Sequence, residues 1–190
     1  MTLQSPQPPD ESREAAEAGL QLLAGLGRVR TATLLPAAPD DLRLVDPVQM
    51  YTVAPTGALT DARPVSWRYL VRHGDEPVAL AETVRDASGA HVFGQLNYGP
   101  FVAGTAAALA AAGDAGGERP GDAEVRLLHV PAVHLIAVWL HADSADTLVP
   151  AAPAPSGIEA GRPYPAAQLL SLVAEFTPPT LTADDDRGGG

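Results

Sequence analysis

Lysine and cysteine are both absent from the 190 residues, so all 12 basic side chains are arginines. Without lysine there is no Schiff-base amine, no P-loop lysine and no ammonium general base. Without cysteine there is no thiolate nucleophile, no disulfide and no thiolate metal ligand. Aromatic residues make up only 5%. Much of the 46% hydrophobic share is alanine, so a core must come from Leu, Val, Ile and these few rings. An excess of Ala, Gly, Pro and Arg together with missing lysine matches the codon bias of a GC-rich bacterial genome, which accounts for the absence without a functional cause.

Positive charge is also in deficit. A formal net charge of −11 and a pI near 4.7 imply repulsion from phosphate backbones and anionic lipid. Neither nucleic acid nor membrane is therefore expected as a partner. The close arginine pairs are Arg28 with Arg30 and Arg68 with Arg72, and only Trp67 and Tyr69 offer rings for base stacking beside them. Long apolar runs are missing as well: Val130 to Leu140 is too short for a membrane span and is broken by Pro131 and His134. Residues Met1 to Asp10 carry neither the basic nor the apolar region of a secretory signal, and a cytoplasmic location is the expectation.

At this length the chain can form one self-sufficient domain. A disordered arm is expected at 1–9, a single domain at 10–177, and a disordered acidic and glycine-rich tail at 178–190. Asp10 or Ser12 can cap a helix whose apolar residues Ala16, Leu20, Leu23 and Leu26 recur at helical spacing, with Gly27 at the left-handed C-terminal position. Strands are expected at Val29 to Leu35 and at Leu44 to Val53, the latter interrupted by Pro47. The turn-rich stretch 54–64 either folds over the surface or stays mobile.

Trp67 to Asp86 reads as a β-hairpin around His73 to Pro77, with Glu82 a polar intruder on its return arm. A short strand follows at Ala90 to Leu96. Pro100 then opens an alanine-rich helix that Gly113 should end. From Glu124 two strand pieces are expected on either side of a bulge or bend at Pro131, the second apolar on both sides from Val133 to Leu140. A turn at Ala142 to Ala145 leads to Asp146 to Val149, prolines 150, 153 and 155 make an extended connection, and Pro165 opens a last helix bearing Leu169, Leu172, Val173 and Phe176. No internal repeat is evident. The expected fold class is α+β, with a mainly antiparallel sheet of about five to six strands and three helices chiefly on one face.

The densest group of chemical side chains is His129, His134, His141, Asp143 and Asp146. His134 and His141 are seven apart and would point to opposite faces of a strand, so no metal or other cofactor is expected, with His141 and Asp143 the weak candidates for a ligand. His134, set among apolar neighbours, would have a depressed pKa and could act as a base if a cavity reached it; a satisfied core histidine is the competing account. Pairing of His134 with Glu82 or Tyr69 would make a catalytic candidate, and Arg68, Trp67 and Trp139 are the candidates for binding. Ser88 lacks a nucleophile elbow, and Asn97 to Pro100 lacks a glycine-rich fingerprint. The inventory points away from an enzyme. The leading expectation is a non-catalytic interaction or assembly subunit, with a protein partner or a second copy on the apolar strand. The alternative is a small-molecule-binding protein or modest acid/base enzyme with a pocket between sheet and helices.

Overall fold

The computed structural model describes residues 3–4, 6–31, 33, 35–117 and 122–176; the expected tail at 178–190 lies outside the described residues. The strands are β1 (Leu3–Gln4), β2 (Leu42–Thr52), β3 (Arg63–His73), β4 (Glu76–Arg85), β5 (His91–Asn97), β6 (Ala123–Val130), β7 (Leu135–His141), β8 (Thr147–Pro150) and β9 (Tyr164–Pro165). The helices are α1 (Asp10–Gly25), α2 (Pro100–Gly117) and α3 (Ala166–Glu175). All strands join one sheet in the order β5-β4-β3-β2-β6-β7-β8-β9, with β1 beside β6. Within the arm expected at 1–9, Leu3 and Gln4 thus pair in parallel with Ala123 and Glu124.

The α+β class holds, but the sheet is larger than five to six strands and is mixed. β2 runs parallel to β6 at its centre, and from that pair two antiparallel meanders spread outward, β2 to β5 one way and β6 to β9 the other. A parallel pair needs a long crossover, and α2 supplies it. The helices also do not gather on one face. Trp67, Gln49, Arg126, Trp139 and Leu148 oppose one another across successive strands and so share a face. On that face α1 packs over Trp67, Tyr69, Val71, Ala79 and Ala81, and α3 packs over Leu128, Val130, Leu135, Ala137 and Trp139. On the other, α2 covers Val48, Met50, Val125, Leu127, Ile136, Val138 and Leu140. Among the described residues no helix is long and apolar enough to cross a membrane.

Each helix follows from its spacing. In α1 the buried positions Ser12, Ala16, Leu20 and Ala24 recur every fourth residue. The helix closes with a Schellman turn: Gly27 at φ 64° donates to Ala24 O and Arg28 to Leu23 O. Ser12 does not cap it; Pro9 holds the N-cap position and Ser12 is buried. Alanines propagate α2 through Gly113 to Gly117, past the expected stop. In α3, Leu169 and Val173 are fully buried, each contributing about 2 kcal/mol relative to exposure.

Two further expectations give way. Among the described residues, the strand expected at Val29 to Leu35 shows no ladder, only an isolated bridge between Arg30 and Pro36. The bulge expected at Pro131 is a hairpin connection, with one 3-10 turn at Pro131–Val133 and His134 in the left-handed region at φ 52°. β2 runs on through Pro47, its ladder slipping between Val45 and Val48 where Asp46 takes φ 49°. Within 54–64 a short turn spans Leu59–Asp61, with Ala58 N–H donating to Asp61 Oδ2.

Candidate functional site

The sites proposed from sequence separate in space. Glu82 sits on β4, 7% exposed, facing the α2 side. Ser66 Oγ donates to its Oε1 at 2.6 Å, while Gln95 Nε2 at 2.8 Å, Arg68 at 3.3 Å and Asn97 Nδ2 at 3.3 Å donate to Oε2. Burial works to raise the carboxyl pKa, but the Arg68 charge and these hydrogen bonds outweigh it and hold Glu82 below its usual value. Half-buried His129 shares this environment: burial first, then the Arg68 charge, keep its imidazole below the ordinary value, and Glu82 only partly offsets this. The carboxylate is satisfied by four donors.

Tyr69 faces the other way. Its hydroxyl lies 2.7 Å from Ser12 Oγ, which in turn lies 2.6 Å from Thr83 Oγ1, a buried relay pinning α1 to β3 and β4. Trp67 is buried beneath the same helix. His134 is exposed at the tip of the β6–β7 hairpin, far from the buried core position expected for it. His134, Glu82 and Tyr69 therefore stand in three separate places, and the proposed acid/base grouping does not form.

Trp139 anchors a second cluster, on the α1/α3 face between those helices. Its Nε1 donates to Asp146 Oδ1 at 3.0 Å, and His141 Nδ1 lies 2.8 Å from the same oxygen. The Arg126 guanidinium stands 4.9 Å from the Tyr51 ring centre and 4.8 Å from that of Trp139, and donates twice to Glu124, at 2.9 and 3.1 Å. Sequence reasoning missed Tyr51 and Arg126 because the parallel pairing of β2 with β6 brings them together, and nothing local marks that pairing. The arginine fills its own aromatic and acidic cradle, so the cluster is closed as a binding site. Asp143 is exposed, and among the described residues no three His, Asp or Glu are grouped so as to hold a metal ion.

An open site lies at the sheet edge. β5 ends the sheet, its outer side pairing with no strand among the described residues. Natural edge strands are commonly short, charged, proline-bearing or bulged. The opposite edge strand, β9, meets that description with the two residues Tyr164–Pro165, whereas β5 runs seven residues, His-Val-Phe-Gly-Gln-Leu-Asn, without Asp, Glu or Arg. A register shift at Gly94 is the single blunting feature. α1 packs chiefly on this strand, with Gly19 against the Phe93 ring. A groove of about 740 Å³ opens between the C-terminal halves of α1 and β5, lined by Leu23, Leu26, Arg28, Arg30, Gln95, Leu96 and Tyr98 among others. Tyr98 Oη donates to the Arg28 carbonyl at 2.9 Å and closes its end. The large hydrophobics exposed among the described residues are Leu22, Leu26, Leu35, Val65, Val92, Tyr98 and Phe176. All but Val65 and Phe176 belong to α1, the loop after it, or β5 and its end.

By fold the chain is an α+β protein with two antiparallel meanders joined through a central parallel pair. No family model, no curated protein and no solved structure matches it.

Proposed function

We propose that this chain is a non-catalytic protein-interaction subunit that binds an extended segment of a partner by adding it as a strand to β5. The observation that carries this reading is the long β5 edge, without Asp, Glu or Arg and pairing with no outer strand among the described residues, beside a groove at α1 lined by both apolar and polar side chains. Main-chain hydrogen bonds to a free edge supply affinity, and the groove supplies side-chain selection. The apolar strand that first suggested an interaction surface does not serve: β7 is buried by the chain itself, with α2 on one side and the α3 layer on the other.

The scattering of the acid/base candidates favours binding over catalysis. Panning a peptide library against the chain tests the proposal, with amide hydrogen exchange used to locate bound peptides. Selected peptides are expected to protect residues 91–97 and to bind at least about tenfold more weakly to Leu26→Asp, which removes an apolar contact from the groove and sets a carboxylate beside Arg28 and Arg30. Enriched peptides that leave β5 exchange unchanged would defeat the reading.

A further inference from the structure

The β5 groove carries charge of one sign in a chain dominated by the other. Among the described residues that line it, Arg28 and Arg30 are charged and none is a carboxylate, although the chain holds 23 Asp and Glu against 12 Arg. The Schellman turn fixes the backbone at Arg28, and the Tyr98 hydroxyl on its carbonyl ties that turn to the end of β5. Apolar Leu23, Leu26 and Leu96 line the same groove. On an extended segment alternate side chains project the same way about 7 Å apart. A residue seated against Leu26 and Leu96 would thus carry its neighbours, two to four positions along, to the exposed Arg28 side chain. The planar guanidinium takes a carboxylate through two parallel hydrogen bonds, which an ammonium cannot do.

Resting on strand addition at β5, we infer that the occupant is an acidic extended segment of a partner protein, an aliphatic side chain followed within a few residues by Asp or Glu. A second copy pairing through the same edge fits less well. Its groove brings arginines rather than carboxylates, and each copy carries a net charge of −11. The chain's own stretch from Leu181 to Asp186 has the required composition and is the competing occupant.

The test titrates the full chain with three labelled peptides that share an aliphatic β-forming core and carry flanking Asp, Asn or Lys. The acidic peptide is expected to bind about five- to tenfold more tightly than the Asn peptide, with the gap shrinking at high salt. Arg28→Glu, alone or with Arg30→Glu, should reverse the order; both side chains are exposed, and circular dichroism checks the fold. Equal binding of the Asp and Asn peptides with β5 amides still protected would sink the acidic preference and leave strand addition standing. Failure of every peptide to protect β5 would sink both. Acidic-peptide binding that emerges only after Asp184→Asn, Asp185→Asn and Asp186→Asn would assign the groove to the chain's own tail and overturn the partner assignment.

Discussion

Glu82 shows how one side chain can look catalytic and act structurally. It is shielded, charged and met by four donors, so its energetic weight lies in what its loss leaves behind. Glu82→Gln strands the Arg68 cation in a shielded position and is expected to cost about 3 kcal/mol in urea unfolding. Pairing Glu82→Gln with Arg68→Met should recover much of that loss, because neither buried charge then remains. The pH dependence follows from the same cluster. The folded-state pKa values of Glu82 and His129 both lie below the ordinary values of 4.5 and 6.5. At pH values between the folded and unfolded pKa the unfolded chain binds more protons, so stability falls on acidification. The His129 share is present above pH 6.5 and lost as pH drops through its folded value; the Glu82 share is lost lower, below 4.5. Urea unfolding at a series of pH values should show this decline, with His129→Gln removing the upper part. A rise in stability on going below pH 6.5 would contradict the assignment.

The elements meet at two glycines, and the two should respond differently to a methyl group. A Cβ at Gly104 of α2 would collide with the backbone carbonyl of Ala152, whereas at Gly19 of α1 it would meet the Phe93 ring. The Ala152 backbone, in the bend after β8, cannot rotate away as a side chain can; a ring at an edge strand has more room to turn. Gly104→Ala is therefore expected to cost more than about 2 kcal/mol, and Gly19→Ala less, each measured as a shift in melting temperature. The larger loss at Gly19 would mean that α1 is seated more rigidly than α2. Ser12, Tyr69 and Thr83 bear on the same question, since their buried hydroxyls tie the first turn of α1 to β3 and β4.

For the molecule as a whole, the open edge and the net charge pull in opposite directions. An uncharged free strand favours pairing with other chains, while a charge of −11 keeps copies apart. Light scattering at low salt should give the monomer mass of 19.6 kDa. Screening by added salt should raise the apparent mass, and Val92→Lys, which puts a charge on the exposed side of β5, should suppress that rise. A salt-induced rise unaffected by Val92→Lys would place the association elsewhere than β5.

Local chemistry determined the local structure. The spacing of Ala16 and Leu20, the glycine after α1, the turn between Trp67 and Asp86 and the proline that opens α2 each act over a few residues, and the structure has helices, a left-handed cap and a hairpin at those places. What the sequence could not convey was which strands lie side by side. The parallel contact of β2 with β6 spans more than seventy residues; it sets a parallel pair at the centre of the sheet and brings Tyr51 to Arg126. Side-chain alternation tells which residues share a face but not which face a distant helix covers, so Tyr69 and Glu82 read as neighbours while the sheet stands between them. The edge position of β5 was hidden for the same reason: that it has no outer neighbour among the described residues is a property of the assembled sheet, decided only when the other strands have taken their places.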